Sequence, residues 1–320
     1  MTGGFTIRPY HARDEAGVLA VWNSALFADP INATTFRAKV LLDPNFDRET
    51  CLIAEKEGEV AGFVLGLRRR VPFFGDGYEP DQSWISTFGV APQHQGVGIG
   101  SALLEQVLAR LASLGAKSVA YSPYVPNYFT PGADAQAYAA GIEFMARRGF
   151  EIIEEPISMR AELTGFQIPD DIQQRKTELA AEGVEIRPAT PEDIVPVLDF
   201  IPRHFTWDWH REASGVFTDL YAGDPRWVGM IVAREGDEVL GYAEHRGERF
   251  GPFGVHTQLR SRGIGRVLLA TCLHEMLKKN YHAAWFLWTE ENAARLYSQL
   301  GFKPVRRFIV LRKELVIGNW

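Results

Sequence analysis

Two short glycine-rich stretches carry the strongest chemical signal in the chain. Gln95-Gly96-Val97-Gly98-Ile99-Gly100 follows Phe88-Gly89-Val90, and Arg260-Ser261-Arg262-Gly263-Ile264-Gly265 follows Phe253-Gly254-Val255 at the same spacing. In each, an apolar run ends in Phe-Gly-Val, a long polar residue (Gln95 or Arg260) stands seven residues after the Phe, and Gly-Ile-Gly leads into an amphipathic run. Read as strand, turn and helix, this is a phosphate site. Glycine lets the backbone turn tightly and approach a ligand with no Cβ between them. The first N–H groups of a helix lack intrahelical partners, and the helix dipole favours an anion there. One glycine turn before a helix is weak evidence; two at a fixed offset, each after Phe-Gly-Val, are harder to dismiss.

The elements that must hold these turns are duplicated as well. Phe5 to Pro9 and Val184 to Pro188 read as first strands, each followed by a helix, from Asp14 and from Thr190-Pro191-Glu192-Asp193. Hairpins follow: Cys51 to Glu55 turns at Glu57-Gly58-Glu59 into Val60 to Leu65, and Met230 to Ala233 turns at Glu235-Gly236-Asp237 into Val239 to Ala243. Apolar runs about a short glycine turn are a hairpin signal. The copies are offset by 179 residues at Ile7/Ile186 and Gly62/Gly241 but by 165 at Gly98/Gly263. The first copy therefore carries 14 extra residues, within Arg68 to Gln82. After each glycine turn an amphipathic helix is expected, Ser101 to Leu114 and Arg266 to Asn280, with Leu104, Val107, Leu108, Leu111 and Leu269, Leu273, Met276, Leu277 as core faces. A strand, a helix ending in Gly149-Phe150 or Gly301-Phe302, and a last strand complete each copy. The boundaries expected are 1–166, a linker helix at 167–183, and 184–320.

A chain of 320 residues suits two domains, and 46% hydrophobic with 23% charged residues is the balance of a soluble globular protein. A net charge of −6 argues against a nucleic-acid partner held by a global positive field. Cys51 and Cys272 are the two cysteines, and neither sits in a metal-ligand spacing, so no metal is expected. No apolar run approaches the length of a membrane span, and Met1 to Asp14 lacks a signal-peptide core. A cytoplasmic protein with no membrane partner is the expectation.

The order strand, helix, hairpin, strand, Gln/Arg-x-x-Gly-x-Gly, helix, strand, helix with Tyr-x-x-x-Gly-Phe, strand resembles the GCN5-related N-acetyltransferase (GNAT) superfamily, as two tandem copies over nearly the whole chain. The resemblance implies an α/β (α+β) fold of two GNAT-like domains, each a mixed, mostly antiparallel sheet splayed at the acetyl-CoA site and flanked by helices. It implies that Gln95, Gly96, Gly98, Gly100 and Ser101, and Arg260, Arg262, Gly263, Gly265 and Arg266, hold the acetyl-CoA pyrophosphate. Phe88, Gly89, Val90 and Phe253, Gly254, Val255 would contact the pantetheine arm, with Asn292 nearby. The N–H of Val90 or Val255 would face the developing oxyanion.

By the same resemblance Tyr297 is the acid that protonates the leaving thiolate, while the first copy has Met145 there, with Tyr138 or Tyr128 as substitutes. The second copy, with its basic loop, is expected to carry the chemistry. Glu244 is the candidate base, with His245 beside it, and a solvated strand face is the competing reading; His256 reads as a loop residue. The implied activity is acetyl-CoA-dependent N-acetylation of a small-molecule primary amine by direct attack, in a monomeric pseudo-dimer or a homodimer. Two other readings stay open: a non-catalytic acyl-CoA-binding or regulatory protein, and acetylation of an amino-sugar thiol precursor, because the tandem arrangement also resembles mycothiol synthase.

Overall fold

The computed structural model describes residues 4–315, apart from the side chain of Arg260. Contacts divide the chain into two compact units, one of residues up to Pro156 together with those from Arg307 onward, the other Ile157–Arg306.

Unit 1 runs β1 (Thr6–Pro9), α1 (Glu15–Ala25), α2 (Ala33–Phe36), β2 (Cys51–Lys56), β3 (Glu59–Leu67), β4 (Gln82–Val90), α3 (Ile99–Ser113), β5 (Ser118–Tyr121), β6 (Ala133–Asp134), α4 (Ala139–Ala146) and β7 (Glu151–Glu154). The hairpin between β2 and β3 turns on Glu57 and Gly58, with φ of 56° and 83°, the backbone a type I′ turn needs. Alternation along the strands sorts side chains to two faces. Leu52, Ala54 and Val64 meet Leu103, Leu104, Val107 and Leu111 of α3. Ile53, Phe63 and Leu65 meet Val18, Val21, Trp22 and Phe36 of α1 and α2.

Unit 2 repeats the plan: β8 (Ile157–Glu162), α5 (Asp170–Ala181), β9 (Val184–Pro188), α6 (Ile194–His204), α7 (Trp207–Ala222), β10 (Val228–Glu235), β11 (Glu238–Arg246), β12 (Arg249–Val255), α8 (Ile264–Lys278), β13 (Ala283–Phe286) and α9 (Glu291–Ser298), after which β14 spans Lys303–Glu314. Ile231, Ala233 and Ala243 face α8; Met230, Val232 and Tyr242 face α6 and α7. Among the described residues each unit has a parallel pair, β4 with β5 and β12 with β13, beside antiparallel hairpins.

Two features depart from a simple head-to-tail repeat. The strand that ends the first copy, β8, pairs with β13 in unit 2. The strand that ends the second copy, β14, pairs with β5 and β7 in unit 1. The contacts thus draw the division at Pro156 and Arg306, where the sequence repeat places it at 166 and 184. The segment expected as a linker is likewise part of a core: α5 buries Ile172 and Leu179 in unit 2. That explains α8, which buries residues from Val267 continuously to Leu273, more than one helical face, because α5 covers a second side. Among the described residues no group of metal-ligating side chains is present, and no helix is long and apolar enough to cross a membrane.

Candidate active site

Each sheet forks. β4 and β5 pair from Gln82/Ser118 to Ile85/Tyr121 and no further. On the other edge of β4, Leu65 faces Thr87 while Gly66 faces Ile85, so Ser86 is a bulge that bends the strand. β12 and β13 share a single pair, Arg249/Trp285, and the register between β11 and β12 shifts after Ala243/Phe253. Phe88-Gly89-Val90 and Phe253-Gly254-Val255 therefore lie beyond the forks, each paired on one edge alone. The N–H of Ala91 donates to Ala61, and that of His256 to Leu240, on the paired side. Since successive residues alternate sides, the N–H groups of Val90 and Val255 point to the open edge. An amide-bearing ligand can complete that edge as a strand would.

Past the forks the glycine turns arrive at α3 and α8, but they are not alike. In unit 1, Gly96 and Gly98 have φ of 76° and 94°, and a Cβ at either would meet nothing within 4 Å. This is an open cradle of backbone N–H groups. Gln95 steadies it by donating from Nε2 to the Val90 carbonyl at 3.0 Å. Gly100 lies against Phe88, Val90 and Phe144. In unit 2, Ser261 stands where unit 1 has Gly96, and Thr257–Arg262 wind into a 3-10 turn. Only Gly263 keeps the left-handed conformation, with φ of 79°, and Gly265 lies against Phe253, Val255 and Leu296.

The cations are also distributed otherwise than the sequence implied. The side chain of Arg260 lies outside the described residues. Arg262 pairs with Glu182 and Glu235, at 3.1 and 3.2 Å, and Arg266 with Asp171 at 2.8 Å. Unit 1, whose loop has no basic residue, receives one from the end of α4. Arg148 stacks 3.6 Å from the Phe144 ring centre and donates to Ser101 Oγ at 2.6 Å. Nothing in the sequence singled it out among the surface arginines.

The groups that could move protons are concentrated in unit 2. Glu244 on β11 is 1% exposed, and its Oε2 has no partner. Burial, then the neighbouring Glu212 charge, push its carboxyl well above the ordinary range, against Arg249 and Arg246. Tyr242, two residues earlier on the same strand, also has a buried hydroxyl without a partner. From α7 come Asp208, whose carboxyl burial also pushes up, and Glu212, which pairs with Arg211 and Arg249. A solvated strand face is thus not what Glu244 occupies.

Tyr297 packs on the opposite face of the sheet, against Phe286, Phe302, Phe253 and Phe250, with ring centres 4.5, 5.6, 6.1 and 6.2 Å away. Phe250, Phe253 and Phe286 come from the diverging strands β12 and β13, so the phenol sits at the fork. Asn292 is exposed in the first turn of α9. His256 caps the 3-10 turn by accepting from the Gln258 N–H at 3.2 Å.

Unit 1 has apolar residues at both of these positions. Leu65, 2% exposed, stands opposite Thr87 on β3 where unit 2 has Glu244, and Met145 is buried in the core. Of the tyrosines read as substitutes, Tyr138 donates to Asp29 at 2.9 Å, and Tyr128 holds Lys39 through its carbonyl. Tyr121, which the sequence reading passed over, ends β5 at the fork. Burial pushes its phenol up to about 12, against a hydrogen bond with Thr87.

His245, next to Glu244 and 1% exposed, faces the other way. Its Nδ1–H donates to the Gly247 carbonyl at 3.0 Å, and Nε2 is buried without a partner against Gly229. Burial pushes it down from 6.5 to about 4. A folded value below the unfolded one means stability that is present above pH 6.5 and lost as pH falls towards 4. The loss amounts to about 3 kcal/mol at the bottom of that window. Calorimetric melts between pH 7 and 4 should show a fall in Tm that is much shallower in His245→Gln; equal falls would show that another group titrates.

The comparisons agree with this anatomy. Residues 19–129 match the family model described as "Acetyltransferase (GNAT) family", and residues 226–304 the one described as "Acetyltransferase (GNAT) domain". A mycothiol acetyltransferase of Nocardia farcinica is 27% identical over 281 residues, 79% of each chain. An L-2,4-diaminobutyric acid acetyltransferase of the same organism is 26% identical, over 48% of this chain and 71% of that protein. Among solved structures, the glucosamine N-acetyltransferase region of a fungal multi-domain GH3 β-N-acetylglucosaminidase shares the fold, with TM-score 0.76 and 20% identity. That match covers 98% of this chain and 38% of the fungal one. A tandem GNAT protein from the clavulanic acid biosynthesis pathway shares it over 99% and 100%, with TM-score 0.63 and 15% identity. With a GNAT match on each copy of the repeat and a fork and glycine turn in each unit, the chain belongs to the GCN5-related N-acetyltransferase superfamily and is a tandem acetyltransferase.

Proposed function

We propose that the protein transfers the acetyl group of acetyl-CoA to the primary amine of a small polar molecule, and that unit 2 performs the chemistry. GNAT enzymes use acetyl-CoA; here the glycine turns and the open strand edges would receive its diphosphate and its amide-bearing arm. The observation that carries the reading is the pairing of Glu244 and Tyr297 about one fork, where unit 1 has Leu65 and Met145.

Direct attack by an amine needs four things: a held thioester, a donor to the developing oxyanion, a base for the amine proton and an acid for the sulfur. The Val255 N–H on the open edge suits the second. Glu244, on the α7 face, suits the third: a carboxylate whose proton affinity is raised by burial is a stronger base than an exposed one. Tyr297, on the α8 face, suits the fourth. The two proton-transfer groups thus lie on opposite faces of the forked sheet, as an acceptor entering from one side and a thiol leaving on the other would require. Unit 1, with its open glycine turn but neither proton-transfer group, suits donor binding without turnover.

The test is release of free CoA thiol from acetyl-CoA with a panel of amines. Glucosamine and L-2,4-diaminobutyric acid, for which two of the similar proteins are named, come first in it, and an amino-sugar thiol belongs beside them. Turnover that is lost in Glu244→Gln supports the reading. Binding of CoA with no turnover by any amine would favour a sensor.

A further inference from the structure

α5 lies outside the duplicated elements, yet it brings a guanidinium to the second glycine turn. The stem of Arg175 lies against Gly263: a Cβ built there would stand 3.3 Å from Arg175 Cγ. Its Nε–H donates to the carbonyl of Arg262 at 2.9 Å. Its Nη1 lies 3.0 Å from Glu178 and 2.8 Å from Glu182. Glu182, which caps α5, also takes Arg262, and Asp171 in its first turn takes Arg266. One helix therefore sets a cation on the turn and supplies carboxylates to the cations around it.

These pairs are solvent-exposed, and exposed ion pairs contribute little to stability. Exchanging a carboxylate for a phosphate there costs little, while bidentate guanidinium–phosphate contacts are among the stronger charge-assisted ones. The second turn has more need of such a contact than the first, because Ser261 and the 3-10 winding leave it one left-handed glycine where unit 1 has two. Unit 1 meets its own need with Arg148, from a different helix, held by the carbonyl and ring of Phe144 and by Ser101 Oγ.

We propose that Arg175 is a phosphate-binding residue of the donor site in unit 2, held ready by Glu178 and Glu182 and handed to the diphosphate when the donor enters. Arg262 makes the same exchange from Glu182 and Glu235. This inference rests on the acetyl-CoA reading above.

Calorimetric titration of the full chain tests it, in a Gly98→Glu background that disables the turn of unit 1. Arg175→Gln should weaken coenzyme A and dephospho-coenzyme A alike, by about 10- to 100-fold for one charge-assisted contact. It should leave pantetheine, which has no phosphate, unchanged. Arg175→Lys should fall between, and Glu182→Gln should tighten coenzyme A several-fold. Unchanged coenzyme A affinity in Arg175→Gln overturns the proposal, as does an equal loss for pantetheine, which would mark a packing role. Gly263→Glu separates the two readings. If it abolishes binding while Arg175→Gln does not, only the role of Arg175 fails; if neither matters, the donor site itself has been misplaced.

Discussion

Glu244→Gln is expected to lower kcat/KM by about 10²- to 10⁴-fold, the range for removal of a positioned general base, with the fold intact. The amide keeps the shape and removes the proton acceptor. The pH dependence carries the sign. Burial and Glu212 raise the Glu244 carboxyl well above 4.5, so in the free enzyme it is protonated at acid pH, and the rate should climb as it ionises. That limb should vanish in the variant. Stability should move the opposite way. A folded value above the unfolded one means a contribution fully present below pH 4.5 and lost as pH rises through the folded value. Glu244→Leu, which copies Leu65 of unit 1, should therefore raise Tm relative to the parent, and by more at pH 8 than at pH 5. Exchange of stability for a buried reactive group is common at active sites. A variant that kept its rate and its pH limb would show that the amine loses its proton to water or to another group.

The two glycine turns, the hairpins and the helices that follow them were legible because their signals are local: glycine where φ is positive, apolar spacing where a helix packs. The fork was legible only through the family resemblance, since a bulge at Ser86 or beside Glu244 leaves no mark in an apolar run. The exchange of β8 and β14 was not legible. Strand pattern decides which face is buried, not which neighbour is paired, and Ile157 to Leu163 would suit either sheet. Glu244 read equally well as a solvated strand residue because the acidic groups that define its surroundings, Asp208 and Glu212, come from a helix more than 30 residues earlier in the sequence. Arg148 and Arg175 are two arginines among many until the fold places each beside a helix start. Ser261 in place of Gly96 was plain in the sequence; its consequence, a wound turn leaning on α5, required the neighbours.

Tyr297→Phe should lower kcat by roughly 100-fold, the lower end for loss of a general acid, with little change in the KM for acetyl-CoA. Phenylalanine keeps the packing with Phe250, Phe253, Phe286 and Phe302, so Tm should hold, and the loss can be assigned to the hydroxyl. Burial pushes the phenol of Tyr297 above 10. It therefore keeps its proton throughout the range in which an amine substrate is neutral, and no alkaline fall in rate should come from it below about pH 10. The leaving group offers an independent check. A thiol ester whose thiol is more acidic than coenzyme A needs less help in leaving, so the ratio of parent to variant rates should shrink as the thiol pKa falls. A ratio that stayed constant along that series would mean that the hydroxyl positions the thioester and that water protonates the sulfur.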